Sequence, residues 1–314
     1  MPNYIAIDGG TTNTRVRLVC NYKICDTEKQ NIGARQGSDD PAAYKNAIRD
    51  SIALILKRND LREGDITAIL ASGMITSEGG LINLPHLAAP CGIRALSAGL
   101  YKTEIPEISS IPFTFIRGVK TGGVDFADTD MMRGEETELM GLLDGLLPDT
   151  LYVLPGSHSK LVETDGEGRI STFSTQLTGE LLSAVARGTI LQNSVDLTES
   201  ETDTDYLKRG YLFAKEKGVN AAFFKVRVLD KLFGCTKKQA YSFFMGAVLS
   251  PEIENIINAA AENVIIGGKA VLKAPTATLL RAFSHKNVTE IGEVEAENAT
   301  ALGAVRIFEY GSGK

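Results

Sequence analysis

The sequence predicts an α/β protein of two lobes, in which mixed sheets are flanked by helices and a cleft separates the lobes. A hairpin of two apolar strands around a Gly/Thr-rich turn opens the chain at residues 4–19. The same pattern returns at residues 151–162, around a Gly/Ser turn. The 314 residues are too many for one small core and suit two lobes of roughly 150 residues. We therefore expect an N-terminal lobe at 1–148 and a C-terminal lobe at 149–314.

Patterns of strand and helix alternate between the two hairpins. Apolar residues at helical spacing indicate helices, and short apolar runs bounded by turn residues indicate strands. We expect a helix at 41–58, a strand at 66–72, a looped segment at 73–90, a strand at 113–117 and a helix at 135–147.

The second half becomes helical after its hairpin and a third strand at 170–175. We expect helices at 178–192, 202–217, 223–233, 237–249 and 251–262, then a strand at 264–266, a helix at 270–283, a strand at 287–290 and a helix at 296–309. Strands followed by crossover helices imply parallel segments that are joined to the antiparallel hairpins.

Composition excludes several classes of function. The net charge of −6 and the lack of a basic cluster argue against a nucleic-acid partner. Four cysteines at unrelated spacings and three histidines argue against a zinc site. They fit the reduced thiols of a cytoplasmic protein. We find no signal peptide and no apolar run of transmembrane length, so we expect no membrane partner. A monomer and a homodimer both remain open.

The turn of the first hairpin has the composition of an anion site. Its glycines permit a tight turn and the close approach of a ligand, and its backbone N–H groups can converge on an anion. Asp8 ends the first strand and is suited to hold a hydrated Mg²⁺ ion. The residues expected to contact phosphate are Gly9, Gly10, Thr11, Thr12, Asn13 and Arg15. An ordinary hairpin turn has a similar composition. We call residues 9–15 the first loop.

The turn of the second hairpin, PGSHSK at residues 155–160, is the second loop. Gly156 permits close approach of the backbone, and Ser157 and Ser159 are hydrogen-bond donors. His158 or Lys160 can offset phosphate charge. A Ser–His nucleophile is the rival interpretation. Adjacent residues do not give the geometry of a catalytic triad, however, and the chain has no G-x-S-x-G elbow.

A predicted helix start at residues 133–137, RGEET, offers a general base. Gly134 interrupts the incoming segment, and Glu135 and Glu136 follow in the first turn, where the helix dipole favours ionised carboxylates. Such a group can take a proton from an acceptor hydroxyl. Glu135 is the first choice as base and Glu136 the second, with Asp130 and Glu180 as the next candidates. Arg133 is a candidate for binding an anionic part of the acceptor.

The first loop resembles the phosphate-binding loop of the sugar kinase, Hsp70 and actin superfamily. Four groups of segments extend this to a resemblance to the 2-dehydro-3-deoxygalactonokinase family: residues 7–15, 71–77 with 84–87, 132–139, and 154–160 with 177–181. The family phosphorylates the 6-hydroxyl of 2-keto-3-deoxy-galactonate with ATP. The resemblance implies a two-lobed actin-like ATPase (ribonuclease H-like) fold, with ATP in the cleft between the lobes.

The resemblance also implies roles for further residues. ATP and Mg²⁺ would be the cofactors, and a small-molecule sugar acid the acceptor. Gly267 and Gly268 would start the helix against which adenosine packs. Residues implied in sugar-acid binding are Met74, Thr76, Ser77, His86, Arg133, Thr178 and Glu180. Two alternatives stay open. One is a kinase for another sugar acid, such as 2-dehydro-3-deoxygluconate. The other is a non-catalytic, ATP-dependent sugar-acid sensor.

Overall fold

The computed structural model describes residues 2–123, 125–268 and 270–312. The chain divides into two compact units. Unit 1 comprises Met1–Pro148, Asp165–Thr172 and Val294–Lys314, and unit 2 comprises Asp149–Thr164 and Phe173–Glu293. Within the described residues, no helix has both the length and the apolar character needed to cross a bilayer.

The main sheet of unit 1 has six strands in the order β3-β2-β1-β4-β7-β6. Strand β1 pairs antiparallel with β2 and parallel with β4, and β4 pairs parallel with β7. The strands are β1 (Asn3–Gly9), β2 (Thr14–Cys20), β3 (Lys23–Gln30), β4 (Ala68–Gly73), β6 (Tyr101–Ile105) and β7 (Ser109–Phe115). A small three-stranded sheet contains β5 (Leu87–Ala88), β8 (Val119–Lys120) and β9 (Met131–Met132).

The sheet of unit 2 repeats this order as β12-β11-β10-β13-β14. Strand β10 pairs antiparallel with β11 and parallel with β13, so the two sheets share the same central arrangement. The strands are β10 (Thr150–Leu154), β11 (Ser159–Thr164), β12 (Ile170–Gln176), β13 (Asn263–Ile266) and β14 (Asn287–Glu290). The predicted similarity of the two hairpins is therefore confirmed at the level of sheet topology.

Ten helices are assigned within the described residues. They are α1 (Ala34–Asp39), α2 (Pro41–Arg58), α3 (Ile93–Ala98), α4 (Glu135–Leu142), α5 (Thr178–Gly188), α6 (Thr204–Lys217), α7 (Val219–Leu232), α8 (Lys237–Asn258), α9 (Ala270–Phe283) and α10 (Glu293–Ser312). The α2 prediction is confirmed residue for residue, and Asp40 caps it by accepting from the Ala43 N–H.

The prediction of two helices at 237–249 and 251–262 is wrong, because α8 runs unbroken through Pro251. An interior proline costs a helix roughly 3 kcal/mol, and burial offsets this. Residues 240–250 are all buried, and α8 crosses α6 at close range. A Cβ on Gly246 would lie 2.0 Å from the Leu207 carbonyl oxygen, and one on Gly210 would lie 2.0 Å from that of Phe243.

Helix α7 starts four residues before the predicted start at 223, and α10 extends beyond the predicted range 296–309 at both ends. Helices α4 and α5 end earlier than predicted. Helix α4 ends at Leu142 rather than 147, because Leu143 is extended and Gly145 adopts a φ of +113°. Helix α5 ends at Gly188, and a short 3₁₀ helix, Ile190–Asn193, follows. Thr189 separates the two with an extended backbone and caps the second by accepting from the Leu191 N–H.

The C-terminal helix α10 belongs to unit 1 by its contacts, whereas the sequence division at 148/149 assigned it to the second lobe. The Tyr4 hydroxyl donates to Glu309, and the rings of Tyr4 and Phe308 meet edge to face at 5.7 Å. Arg17 donates to the carbonyl oxygen of Glu297. The first strand and the last helix are therefore packed together.

Candidate functional site

The first loop is held from behind by the start of helix α1. The Ala34 and Arg35 N–H groups donate to the carbonyl oxygens of Gly10 and Thr11 at 3.1 and 3.0 Å. A Cβ on Gly33 would lie 2.5 Å from the Gly10 oxygen, so a larger residue does not fit there. With these carbonyls occupied, the loop presents its exposed residues Thr11 and Thr12 to solvent.

Asp8 lies at the end of β1, in register with Ser72 of β4. Its Oδ2 pairs with the Arg15 guanidinium at 3.3 Å, and its side chain is 24% exposed. Within the described residues, no group of three or more His, Cys, Asp or Glu side chains is suited to hold a metal ion. A Mg²⁺ ion that also binds phosphate oxygens needs only one or two carboxylates, so Asp8 and its surroundings fit that type of ion.

Three glycines bring the start of α4 close to the ends of β4 and β1. A Cβ on Gly9 would overlap that of Ile75 at 2.6 Å, and one on Gly73 would lie 2.6 Å from the Gly9 oxygen. Gly73 and Gly134 have φ values of +84° and +115°. A Cβ on Gly134 would lie 3.2 Å from the Gly73 Cα. The start of α4, the end of β4 and the end of β1 therefore meet at their backbones.

The two carboxylates at the start of α4 have different environments. Glu136 is 0% exposed, and it accepts from the Gly134 N–H and from the Thr137 hydroxyl. Burial, with the charge of Glu135, raises the pKa of Glu136 to about 8. Glu135 is half-buried and accepts from the Arg133 N–H at 2.9 Å. Of the two carboxylates, Glu135 is therefore the one that keeps part of its surface exposed.

Arg133 holds the looped segment that was predicted to bind the sugar acid. Its guanidinium donates to the carbonyl oxygens of Thr76 and Leu84 at 2.6 and 3.0 Å, and to the Thr76 hydroxyl. It lies 3.2 Å from His86 Nε2. Burial, Arg133 and Lys120 lower the pKa of His86 to about 4, so its ring is neutral near pH 7.

The other predicted sugar-acid residues of this segment lie in a short 3₁₀ turn, Met74–Thr76, and just after it. The Thr76 hydroxyl donates to the Gly73 oxygen, and the Ser77 hydroxyl donates to the Met74 oxygen. Thr76 is buried, whereas Met74 and Ser77 are half-buried. The structure therefore brings Met74, Thr76, Ser77, His86 and Arg133 together beside the start of α4.

In unit 2, the second loop is held by a helix start in the same way. The Gly179 and Glu180 N–H groups donate to the carbonyl oxygens of Gly156 and Ser157, both at 3.1 Å. A Cβ on Gly179 would lie 2.5 Å from the Gly156 oxygen. Sequence analysis predicted the start of α5 at Thr178 but not helix α1, and it assigned no role to Gly179 or Gly33.

The side chains of the second loop divide into two groups. Ser157 and His158 are exposed, and His158 Nε2 lies 2.9 Å from a Glu180 carboxylate oxygen. Ser159 and Lys160 are buried, and the Lys160 ammonium donates to the Thr175 hydroxyl at 2.7 Å. Phosphate contacts through the exposed Ser157 and His158 stay a prediction, whereas Ser159 and Lys160 are buried in the fold.

The predicted adenosine residues lie beside the second loop. The Gly267 N–H donates to the Val153 oxygen at 2.9 Å, which extends the pairing of β13 with β10. Gly268 has a φ of +69°, and a Cβ there would lie 2.6 Å from the Pro155 oxygen. The structure therefore brings together 156–160, 178–180 and 267–268 in unit 2. The residues of the first loop and of α4 belong to unit 1.

Comparisons with known proteins agree with these motifs. The model of the 2-keto-3-deoxy-galactonokinase family matches residues 8–307. The 2-dehydro-3-deoxygalactonokinase of Escherichia coli (strain K12) is 29% identical over 259 residues, which cover 81% of this chain and 80% of that protein.

Solved structures show the fold. A crystal structure of a provisionally assigned 2-dehydro-3-deoxygalactonokinase from Sinorhizobium meliloti aligns with a TM-score of 0.76 and 22% identity, over 96% of each chain. A ligand-bound xylulose kinase from Lactobacillus acidophilus aligns with a TM-score of 0.56 and 11% identity, over 100% of this chain and 90% of that one. The chain has the actin-like ATPase fold, as predicted.

Proposed function

The chain belongs to the 2-keto-3-deoxy-galactonokinase family, and we propose that it transfers the terminal phosphoryl group of ATP to the 6-hydroxyl of 2-dehydro-3-deoxygalactonate. It is a carbohydrate kinase, and its use of ATP follows from the family. The observation that carries the assignment of residues is the meeting of three backbones at Gly9, Gly73 and Gly134. This contact supports a position of the half-buried Glu135 near Asp8 and the first loop.

Glu135 is the general base in this proposal. The 6-hydroxyl is a weak nucleophile with a high pKa, so a carboxylate that orients it and accepts its proton favours transfer. As the new bond between the 6-oxygen and the γ-phosphorus forms, the bond from that phosphorus to the β,γ-bridging oxygen breaks, and ADP leaves. The proton passes to a Glu135 oxygen. The buried Glu136 instead accepts from its own helix start.

The two loops supply the phosphate contacts. Backbone N–H groups that converge in a turn bind anions without a concentration of basic residues, which suits a chain with a net charge of −6. The carbonyl oxygens of both loops accept hydrogen bonds from N–H groups at the starts of α1 and α5. In this proposal these oxygens therefore do not face the phosphates. Arg133 fixes the segment at 74–86, where the sugar acid would bind.

Asp8 would hold a Mg²⁺ ion through its water shell. The ion would supply positive charge to the phosphate oxygens during transfer. Asp8→Asn is therefore expected to lower kcat by about 100-fold or more. The free energy of unfolding should change by less than about 1 kcal/mol, because the Asp8–Arg15 pair is partly exposed. Activity of this variant close to wild type, or full activity in excess chelator, contradicts the role.

The reaction is tested by acceptor-dependent release of ADP. We expect turnover with 2-dehydro-3-deoxygalactonate that exceeds turnover with its C4 epimer, 2-dehydro-3-deoxygluconate, and little release of ADP without an acceptor. A preference for the epimer would make the protein a kinase for the gluconate form. Binding of ATP with no acceptor-dependent ADP would contradict the proposal and favour a sensor.

A further inference from the structure

A buried carboxyl group that the proposed reaction does not use lies behind the second loop. Glu252 of α8 is 1% exposed, and its Oε2 accepts from the Thr178 hydroxyl at the start of α5. The hydroxyl of Ser159, at the start of β11, also hydrogen-bonds to this carboxyl. The carboxyl therefore connects the two segments that form and support the second loop.

The connection continues to the loop backbone. The Ser159 hydroxyl accepts from the Gly156 N–H at 3.4 Å. The Gly156 and Ser157 carbonyl oxygens accept from the Gly179 and Glu180 N–H groups, which directly follow Thr178. A substitution at Glu252 would therefore alter the hydrogen bonds that hold the loop in two places, at Ser159 and at the start of α5.

A purely structural role explains this group poorly. Its Oε1 is buried and has no hydrogen-bond partner within the described residues, and an unsatisfied buried polar atom costs about 1–3 kcal/mol. Burial also raises the pKa of Glu252. An apolar side chain of similar volume at this position would avoid both costs. A carboxyl group, unlike an apolar side chain, can accept hydrogen bonds from hydroxyls on two different segments.

We propose that Glu252 is a positioning residue of the second loop, which fixes the backbone of residues 156–159 in the geometry that binds the phosphates of ATP. This inference rests on the proposed function only in that the second loop binds nucleotide. It does not depend on which acceptor is phosphorylated. Glu252 acts through Ser159 and Thr178, and it does not itself contact the nucleotide.

Nucleotide affinity, measured without sugar acid, tests the proposal. Binding of a non-hydrolysable ATP analogue is measured by titration calorimetry for Glu252→Gln and Glu252→Leu. Glutamine retains an acceptor oxygen for Thr178, whereas leucine retains none. We expect Kd to rise in the order wild type, Gln, Leu, by about tenfold for Leu, which corresponds to about 1.4 kcal/mol. The KM for the sugar acid should stay within about twofold.

Glu254→Gln is the matched control. Glu254 lies two residues further along α8, about 200° round the helix, and it pairs with Tyr211 and Lys215 instead of the loop. This variant should bind the analogue as the wild type does. A folded Glu252→Leu protein with the wild-type Kd overturns the proposal. So does a parallel change of Kd and sugar-acid KM, which indicates a general loss of structure.

If Glu252→Leu does not fold, a double-mutant cycle replaces it. The effects of Thr178→Val and Glu252→Gln on Kd should be less than additive, because both act on the same hydrogen bond. Valine removes its donor, and glutamine replaces its carboxyl acceptor with a weaker amide oxygen. Additive effects overturn the proposal. A wild-type protein that binds nucleotide without turning over any sugar acid contradicts the proposed reaction, while the order of Kd values still supports the role of Glu252.

Discussion

At the scale of single residues, the adjacent glutamates Glu135 and Glu136 differ in burial, and we propose different roles for them. Glu135 is half-buried, and Glu136 is fully buried with both oxygens accepting from the Gly134 N–H. Successive residues on a helix point about 100° apart, so one can face a ligand while the next enters the core. This difference separates the proposed base from a group that supports the helix start.

Glu135→Gln is expected to retain the fold and ATP binding and to lower kcat by about 100-fold or more, the usual scale for loss of a general base. Glutamine retains an oxygen that can accept from the Arg133 N–H, so a folding defect should not confuse the result. The measurement is single-turnover transfer at saturating ATP. If Glu135→Gln stays active and Glu136→Gln is inactive, the general base is Glu136 and not Glu135.

Glu136 should make the folded state less stable as pH rises. Its pKa is raised from 4.5 to about 8 in the folded chain, so the folded state binds more protons than the unfolded state between these values. The stability that this proton contributes is fully present below pH 4.5 and is lost as pH rises through about 8. The slope approaches about 1.4 kcal/mol per pH unit.

Urea unfolding of wild type and Glu136→Gln between pH 5 and 8 measures this contribution. We expect the variant to gain stability relative to the wild type as pH rises, because glutamine does not titrate. A difference between the two proteins that is independent of pH would show that the carboxyl titrates normally.

At the scale of elements, both loops depend on a glycine where a helix begins. Gly33 precedes α1 and Gly179 lies in the first turn of α5, and a Cβ on either would lie 2.5 Å from a loop carbonyl oxygen. The two hairpins share this support as well as their sheet order. Each half of the chain therefore contains the same three parts: a hairpin, its loop, and a helix start that hydrogen-bonds to the loop.

Gly179→Ala is expected to push α5 away from the second loop. We expect a loss of about 1–3 kcal/mol in the free energy of unfolding, as is usual for forced overpacking, and a higher KM for ATP. Gly188→Ala at the other end of α5 is the control, because no atom of the described residues outside its own helix turn lies within 4 Å of its Cβ position. Equal effects of the two substitutions on the KM for ATP would contradict a role for the close contact between Gly179 and the second loop.

At the scale of the whole molecule, the last helix completes the unit that contains the first strand. Helices α4 and α10 touch at their backbones: a Cβ on Gly303 would lie 1.9 Å from the Thr137 oxygen, and one on Gly141 would lie 1.8 Å from the Ala299 oxygen. Arg306 donates to the Met140 oxygen at the end of α4. The helix that carries Glu135 is therefore set by the C-terminal segment.

Gly303→Ala should thus lower both stability and activity, although residue 303 lies far along the chain from Glu135. We expect a loss of about 1–3 kcal/mol or more in the free energy of unfolding and a lower kcat at saturating substrates. Gly64→Ala in the same unit is the control, since its Cβ would meet no atom of the other described residues within 4 Å, apart from its two chain neighbours. If Gly303→Ala has the thermal stability of the wild type, α10 can shift to accommodate the added Cβ without a loss in the free energy of unfolding.

The sequence by itself determined both hairpins, the start of α4 at Glu135, helix α2, strand β14 and the family. These features depend on local signals: apolar periodicity, turn chemistry and motifs of adjacent residues. Residues within a few positions of one another are sufficient to specify them.

Only the tertiary structure decided the course of α8 through Pro251, the burial of Glu136, the contacts of Arg133, the contact of Glu252 with Thr178 and the assignment of α10 to unit 1. Each depends on a contact between segments that are distant in the sequence, such as Glu252 with Thr178 or Gly303 with Thr137. Helical and strand periodicity identify the buried face of an element, but they carry no information on which distant segment covers it.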